Sequence, residues 1–248
     1  MNKFILITGS NGLIGSSLVE QFLEEKYNII ATYHKNKDKL LKIKKNHKNL
    51  VLVKFDPQKP SNFQKLFLQL NKKKFKVSTA INSMVIRPSR RGMNNNINLW
   101  KKSISINSDV TYFFCKFFCQ YFRKNKITGS LINIGSIYSN IGPDFNIYKN
   151  ENFELEPDYL YNKFGMLGLT KYFASKYGKY NIRVNMVSPG GIVNNQSKSF
   201  IKKYSSKTFL KRMGNKTDIY GLVKYLSTDE SSYMTGQNLI LDGGYVSN

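Results

Sequence analysis

The sequence predicts one α/β domain: a doubly wound, seven-stranded parallel sheet with helices on both faces. Three observations predict it. Short β-branched or apolar runs alternate with longer amphipathic ones along the chain, the pattern of parallel strands joined by crossover helices. No linker, repeat or low-complexity stretch divides the 248 residues, a length that one α/β domain commonly reaches. Hydrophobic residues make up 41% of the chain, enough to fill a core covered on both sides.

Taken in order, the first apolar run, Phe4-Ile5-Leu6-Ile7, reads as a strand and leads into a helix over 12–26 that carries Leu18, Val19, Phe22 and Leu23. Strands follow at 28–33, 50–55 and 77–81, with helices over 36–47 and 60–72 between them. Helices over 97–105 and 108–125 then lead to a strand at 130–134. A helix over 158–178, a strand at 183–187, a helix over 217–227 and a strand at 238–241 complete the series. The 108–125 helix is apolar nearly all round, with Tyr112, Phe113, Phe114, Phe117, Phe118, Tyr121 and Phe122. A stripe facing only its own sheet needs about 100° of arc, so the surplus implies either a second subunit or deep burial in the core.

Charge and cysteine usage narrow the function classes. Lys and Arg number 39 against 15 acids, but the lysines are spread along the chain rather than gathered into one block. That distribution is expected of a solvated surface with a general attraction for anions, not of a nucleic-acid footprint. The aromatic stretch 112–122 is interrupted by Lys116 and Gln120, short of the roughly 18 apolar residues of a membrane span, so no membrane partner is expected. The apolar run after Lys3 is too short for a secretory signal. Cys115 and Cys119 alone exclude a disulfide framework and point to a reducing cytoplasm. His34 and His47 lack the carboxylate or thiol neighbours of a metal site, and no metal is expected.

Chemistry begins at the first turn. Thr8-Gly9-Ser10-Asn11-Gly12-Leu13-Ile14-Gly15 follows a strand and opens a helix. Glycines there allow a tight turn and a close backbone approach to a pyrophosphate, while the helix start offers free N–H groups. The second strand ends in Tyr33-His34-Lys35, with Lys37 close behind, where an NAD enzyme would place an acid for the ribose hydroxyls. Positive charge there favours NADP, with NAD the alternative. Asp56-Pro57, at the next strand end, offers a carboxylate for the adenine amino group or a helix cap.

Three Tyr-x-x-x-Lys pairs occur: Tyr33/Lys37, Tyr159/Lys163 and Tyr172/Lys176. On a helix this spacing puts a phenol and an ammonium on one face, where the cation favours phenolate. Only Tyr159 follows a strand ending in a hydroxyl, Asn133-Ile134-Gly135-Ser136, at the carboxyl edge where α/β ligands bind.

With these motifs in order the chain resembles a short-chain dehydrogenase/reductase over essentially its whole length. The resemblance implies a single-domain Rossmann fold over 1–248 and an NAD(P)-dependent oxidoreductase acting on secondary alcohols and ketones. Asn107, Ser136, Tyr159 and Lys163 match the family's catalytic positions. Tyr159 is then the acid or base, Lys163 lowers its pKa and binds the nicotinamide ribose, Ser136 orients the substrate oxygen, and Asn107 holds a relay water. Residues 9–15, Asn82-Ser83 and Pro189-Gly190 with Ile192 match cofactor-contacting segments, Asn194 replacing a usual Thr. From the surplus of the 108–125 helix a homodimer or homotetramer is expected.

Two further segments bear on the substrate. Ser136 and Tyr159 are 23 positions apart, longer than the family's usual spacing, and the insert at about 140–158 carries Asp144, Glu151, Glu154, Glu156 and Asp158. It reads as a lid or substrate wall, a solvated flap, or a brace on a neighbouring basic subunit. Arg87, Arg90 and Arg91, half of all the arginines, stand in one loop after the fourth strand. That loop suits an anionic substrate such as a sugar phosphate or acidic sugar, or a surface salt-bridge cluster.

Segments near Pro143, Ser188 and Tyr233 resemble a bacterial subgroup linked to flagellin modification and surface-glycan sugars. The alternatives are 3-oxoacyl-[acyl-carrier-protein] reduction, against which the acidic insert counts, and a non-catalytic dinucleotide-binding sensor, against which the intact Ser136, Tyr159, Lys163 set counts.

Overall fold

The computed structural model describes residues 3–87 and 96–248. Seven parallel strands form one sheet: β1 Lys3–Thr8, β2 Asn28–Tyr33, β3 Leu50–Lys54, β4 Lys76–Asn82, β5 Ser130–Ile134, β6 Arg183–Pro189 and β7 Asn238–Leu241. Their spatial order is β3-β2-β1-β4-β5-β6-β7. The order reverses between β1 and β4, which opens a crevice at the carboxyl ends of those two strands.

The connections are α1 Leu13–Glu24, α2 Asp38–Lys44, α3 Pro60–Lys72, α4 Ile97–Ile104, α5 Val110–Lys124, α6 Pro157–Tyr177, α7 Lys198–Ser206 and α8 Tyr220–Ser227. A single π-helical turn, Ser105–Asp109, joins α4 to α5. The strand alternation explains the layering. Phe4, Leu6, Ile30, Leu131 and Val184 point to one face, under α3, α5 and α6. Ile5, Ile7, Ile29, Ile132 and Val187 point to the other, under α1 and α8.

The aromatic surplus of α5 is spent inside its own chain. Phe114, Phe118 and Phe122 are fully buried against the sheet. On its flank toward α3, Phe117 stacks on Phe63 at 4.9 Å and Tyr121 on Phe67 at 4.9 Å. Tyr112 packs toward Phe173 of α6. Burial within its own chain thus accounts for Phe114, Phe118 and Phe122 and for the flank toward α3, while Tyr112 stays 38% exposed.

Helix α7 was not expected from the sequence. It is capped by Ser197, whose Oγ accepts from the Phe200 N–H at 3.0 Å. Phe200 and Tyr204, one turn apart, enter a third small core with Ile137, Tyr148 and Leu155. Among the described residues no helix is long and apolar enough to cross a membrane.

Candidate active site

The turn after β1 has room for backbone only. Gly9 has φ +68°, and a Cβ on it would lie 2.5 Å from the Ser83 carbonyl oxygen. A Cβ on Gly15 would lie 2.2 Å from the Gly9 oxygen. The turn is therefore pressed against β4 on one side and folded on itself on the other. No side chain caps the start of α1, so its first N–H groups are free to face an anion. Asn11 donates to the Asn36 carbonyl, while its buried Oδ1 has no partner. Residues 9–15 line a cavity of about 550 Å³. These features fit the pyrophosphate of a dinucleotide.

The adenosine end of the same cavity is lined by Tyr33, His34, Lys35, Asp56 and Pro57. His34 Nε2 is 4.0 Å from Asp56 Oδ2. Asp56 Oδ1 accepts from the Gln58 N–H at 3.1 Å, while α3 begins behind Lys59 without a side-chain cap. Asp56 thus caps a turn rather than the helix, and still faces the cleft. Lys37 does not line the cavity; its ammonium lies 5.9 Å from the Tyr33 ring centroid. Lys39, which the sequence reading passed over, donates to Ser16 Oγ at 2.5 Å.

Asn82 and Ser83 part company. Ser83 lines the cleft, whereas Asn82 is fully buried behind it, donating to Asn133 Oδ1 at 3.2 Å and accepting from Thr8 Oγ1 at 3.4 Å. Asn82 ties β1, β4 and β5 together and does not reach the cavity, a correction to its expected cofactor contact.

At the other end, the tip of β5 and the head of α6 meet. Ser136 is extended and its Oγ accepts from the Tyr138 N–H at 3.2 Å, leaving its own hydrogen without an acceptor among the described residues. Tyr159 is half-buried, and no described residue hydrogen-bonds its hydroxyl. Lys163, 4% exposed, donates to the Ile134 carbonyl at 2.9 Å and sits 5.6 Å from the Tyr159 ring centroid. Burial lowers its ammonium pKa from the usual lysine value; the Tyr159 phenol opposes that and Arg87 adds to it. Ser136, Tyr159, Lys163, Pro189, Gly190 and Ile192 all line the cavity that the glycine turn lines.

Asn107 stands one layer back, in the π turn, where an extra residue re-aims the side chain. It clamps the Ile86 peptide from both sides: Nδ2 donates to the Ile86 oxygen at 2.8 Å, and the Ile86 N–H donates to Oδ1 at 3.0 Å. A second cavity of about 10 Å³ separates it from Lys163, on the order of the room one water takes. Asp158 closes that cavity and accepts from Ser103 Oγ.

Arg87 reaches the cleft, its Cζ 4.6 Å from the Tyr159 ring centroid. Arg90 and Arg91 lie outside the described residues. The acidic insert has two acids with partners outside the cleft: Asp144 pairs with Lys207 at 3.0 Å, and Glu151 accepts from Ser197 Oγ at 2.7 Å, with Lys203 at 4.0 Å. Its apolar residues Tyr148, Phe153 and Leu155 turn inward and line the cleft with Phe200 and Tyr204 of α7. The insert thus lines the cleft and is braced on or beside a basic helix of its own chain. This aromatic wall escaped the sequence reading, although Phe200 and Tyr204 at i and i+4 behind Ser197 carry a helix signal.

Comparison with known proteins settles the class. The family model described as enoyl-(acyl carrier protein) reductase matches residues 10–246. The chain belongs to the short-chain dehydrogenase/reductase family. It is 29% identical to post-translational flagellin modification protein A of Campylobacter coli, with 98% of each chain covered. It is 27% identical to glucose 1-dehydrogenase 2 of Bacillus subtilis, over 98% of this chain and 94% of that one. A short-chain dehydrogenase of Leptospira borgpetersenii, solved with bound NAD+, superposes with a TM-score of 0.89 at 32% identity, over 99% of this chain and 93% of that one. The protein is a short-chain oxidoreductase that acts on CH–OH groups with a nicotinamide dinucleotide.

Proposed function

We propose that this short-chain oxidoreductase interconverts a secondary alcohol and a ketone on a sugar-derived substrate used in surface-glycan synthesis, with NADP preferred over NAD. The observation that carries the reading is the meeting of the Tyr159 phenol and the Lys163 ammonium at the head of α6, on the wall of the cavity that the glycine turn opens. The whole-length similarity to a flagellin-modification protein and to a glucose dehydrogenase supports the sugar-derived substrate.

A nicotinamide held in this cleft would take the hydride at its C4 when the alcohol is oxidised and return it when the ketone is reduced. In the oxidative direction Ser136 donates its free hydroxyl hydrogen to the substrate oxygen and Tyr159, as phenolate, removes the alcohol proton. Lys163 holds the phenolate by charge, and its burial makes that charge felt, since little solvent screens it. Asn107 borders the small cavity behind Lys163, where one water links the ammonium to the outside. The clamp of Asn107 on Ile86 also fixes the loop beside the cofactor cleft.

Lys35, exposed on the rim of the cavity beside Tyr33 and His34, supports the preference as the cation that would meet a ribose 2′-phosphate. Titration of cofactor fluorescence is expected to give tighter NADPH than NADH binding, and Lys35→Glu to reverse the order; equal affinities in the wild type retire the preference. The outer face of α4 and α6, with Trp100 against Tyr161 at 5.3 Å and with Phe164 and Tyr172 exposed, is the surface we assign to a homodimer or homotetramer. Light scattering tests it, and a monomer contradicts it.

Oxidation or reduction across a panel of keto-sugars and keto-acyl thioesters tests the function. Turnover of a sugar-derived member, lost in Tyr159→Phe, is the expected result. Turnover of the acyl thioester alone replaces the substrate reading.

A further inference from the structure

We infer that Arg87 is an oxyanion anchor: it holds a carboxylate or phosphate that the substrate carries close to its reacting carbon. The inference rests on the oxidoreductase reading above and narrows its substrate class.

Among the described residues two cations line the catalytic end of the cleft, and they are in different states. Lys163 is committed, buried and bonded to the Ile134 carbonyl. Arg87 is exposed and lies over the ring of Tyr159, the phenol that handles the proton. No acid and no hydrogen-bond acceptor among the described residues engages its guanidinium. Stacking occupies the face of a guanidinium and leaves its edge, with the N–H donors, free for a planar bidentate partner. The peptide preceding Arg87 is fixed, because Asn107 clamps both polar atoms of Ile86. An arginine mounted on a fixed peptide and braced against an aromatic ring has less freedom to lose on binding than a free surface side chain.

The surroundings decide the sign of the charge. Asp56 is the one acid on the described wall of the cavity, and it stands at the adenosine end. Of the insert acids, Asp144, Glu151 and Asp158 are turned to Lys207, Ser197 and Ser103, and none of the five lines the cavity. Tyr148 and Phe153 of the aromatic wall line the same cavity as Arg87, and the Tyr148 hydroxyl is hydrogen-bonded with that of Tyr138 at 3.1 Å. Among the described residues the catalytic end of the pocket therefore offers an anion an unpaired positive charge at Arg87, no lining acid, and aromatic faces for the body of the molecule. Because the guanidinium lies over the Tyr159 ring, the anion it binds sits only a few bonds from the hydroxyl that Tyr159 serves. The substrate class is a short hydroxy acid or hydroxy phosphate, such as an acidic or phosphorylated sugar derivative.

The full-length protein loaded with NADP+ is assayed on size-matched secondary alcohols that are neutral, carboxylated or phosphorylated, as wild type, Arg87→Lys and Arg87→Gln. The wild type is expected to favour a charged member in kcat/KM. Arg87→Gln is expected to cut the charged-to-neutral ratio roughly 30-fold, mainly through KM, with Arg87→Lys in between. Whichever charged arm leads identifies the carboxylate or the phosphate. A wild type that turns over neutral alcohols as well as charged ones, or a ratio unmoved by Arg87→Gln, overturns the anchor and leaves the oxidoreductase reading standing. No turnover of any alcohol or ketone by the wild type sinks both.

If the Arg87 variants fail to fold, inhibition of the wild type's neutral-alcohol turnover by succinate and by inorganic phosphate answers instead. Competitive inhibition by either supports the anchor, and indifference to both overturns it. A phenolate-stabilising role for Arg87 would move the pH profile equally for every substrate, which the ratio detects as no change.

Discussion

Helix α6 carries two Tyr-x-x-x-Lys pairs, and they behave oppositely. Tyr172 and Lys176 form the hydrogen bond that the spacing suggests, Nζ to phenol oxygen at 3.2 Å, out in solvent with Tyr172 54% exposed. That bond raises the Lys176 pKa. Tyr159 and Lys163 form no such bond. Lys163 is buried, held by a backbone carbonyl, and its pKa is lowered, chiefly by lost solvation. One turn of helix brings phenol and ammonium together in both places. Only at the head of α6 does burial keep the ammonium from water and leave the phenol hydroxyl facing a cavity.

The largest expected effect follows directly. Tyr159→Phe should lower kcat by roughly 10²- to 10⁴-fold, and Tyr172→Phe should leave steady-state turnover within about two-fold, since an exposed polar contact of this kind adds little. Comparable losses from both substitutions would break the distinction between the pairs.

The lysines sharpen it through pH. Lys163 has a lowered folded pKa, so between that value and the ordinary lysine value near 10.4 the unfolded chain binds more protons and stability rises with pH. Lys176 has a raised folded pKa, so its contribution is fully present below about 10.4 and is lost as pH rises through the raised value. Urea unfolding at about pH 8 and about pH 10.5 is the check. Stability relative to Lys163→Met should move in favour of the wild type as pH rises, and stability relative to Lys176→Met should move against it. The same direction for both would mean that Lys163 is not desolvated. Lys163→Met should also unfold at no lower urea than wild type near pH 8 while losing turnover, because an apolar side chain replaces a buried ammonium.

The comparison also shows what a sequence can and cannot carry. Chain-local features were legible: the glycine turn, the strand ending at Ser136, and the choice of Tyr159 over Tyr172, made on its position after that strand. All seven strands were found to within two residues at each end. Features that depend on where a side chain is sent were not. The aromatic excess of α5 looked the same whether it met a partner or α3 and α6, because the periodicity of one helix does not name its neighbours. The acids of the insert suggested a charged lid, yet Asp144 and Glu151 find Lys207 and Lys203 on or beside α7, a helix obscured by its lysine-rich, short composition. Asn107 was legible as a type and a position; its grip on Ile86 depends on a π turn that no spacing announces.

The most direct measurement is a crystal structure of the protein with NADP+ bound. The pyridine ring should lie beside Pro189 and Gly190, with the ribose hydroxyls within hydrogen-bond reach of Lys163 Nζ and with C4 open to the space between Ser136 Oγ and the Tyr159 hydroxyl. A ring bound elsewhere in the cleft, out of reach of Tyr159 and Lys163, would contradict the account.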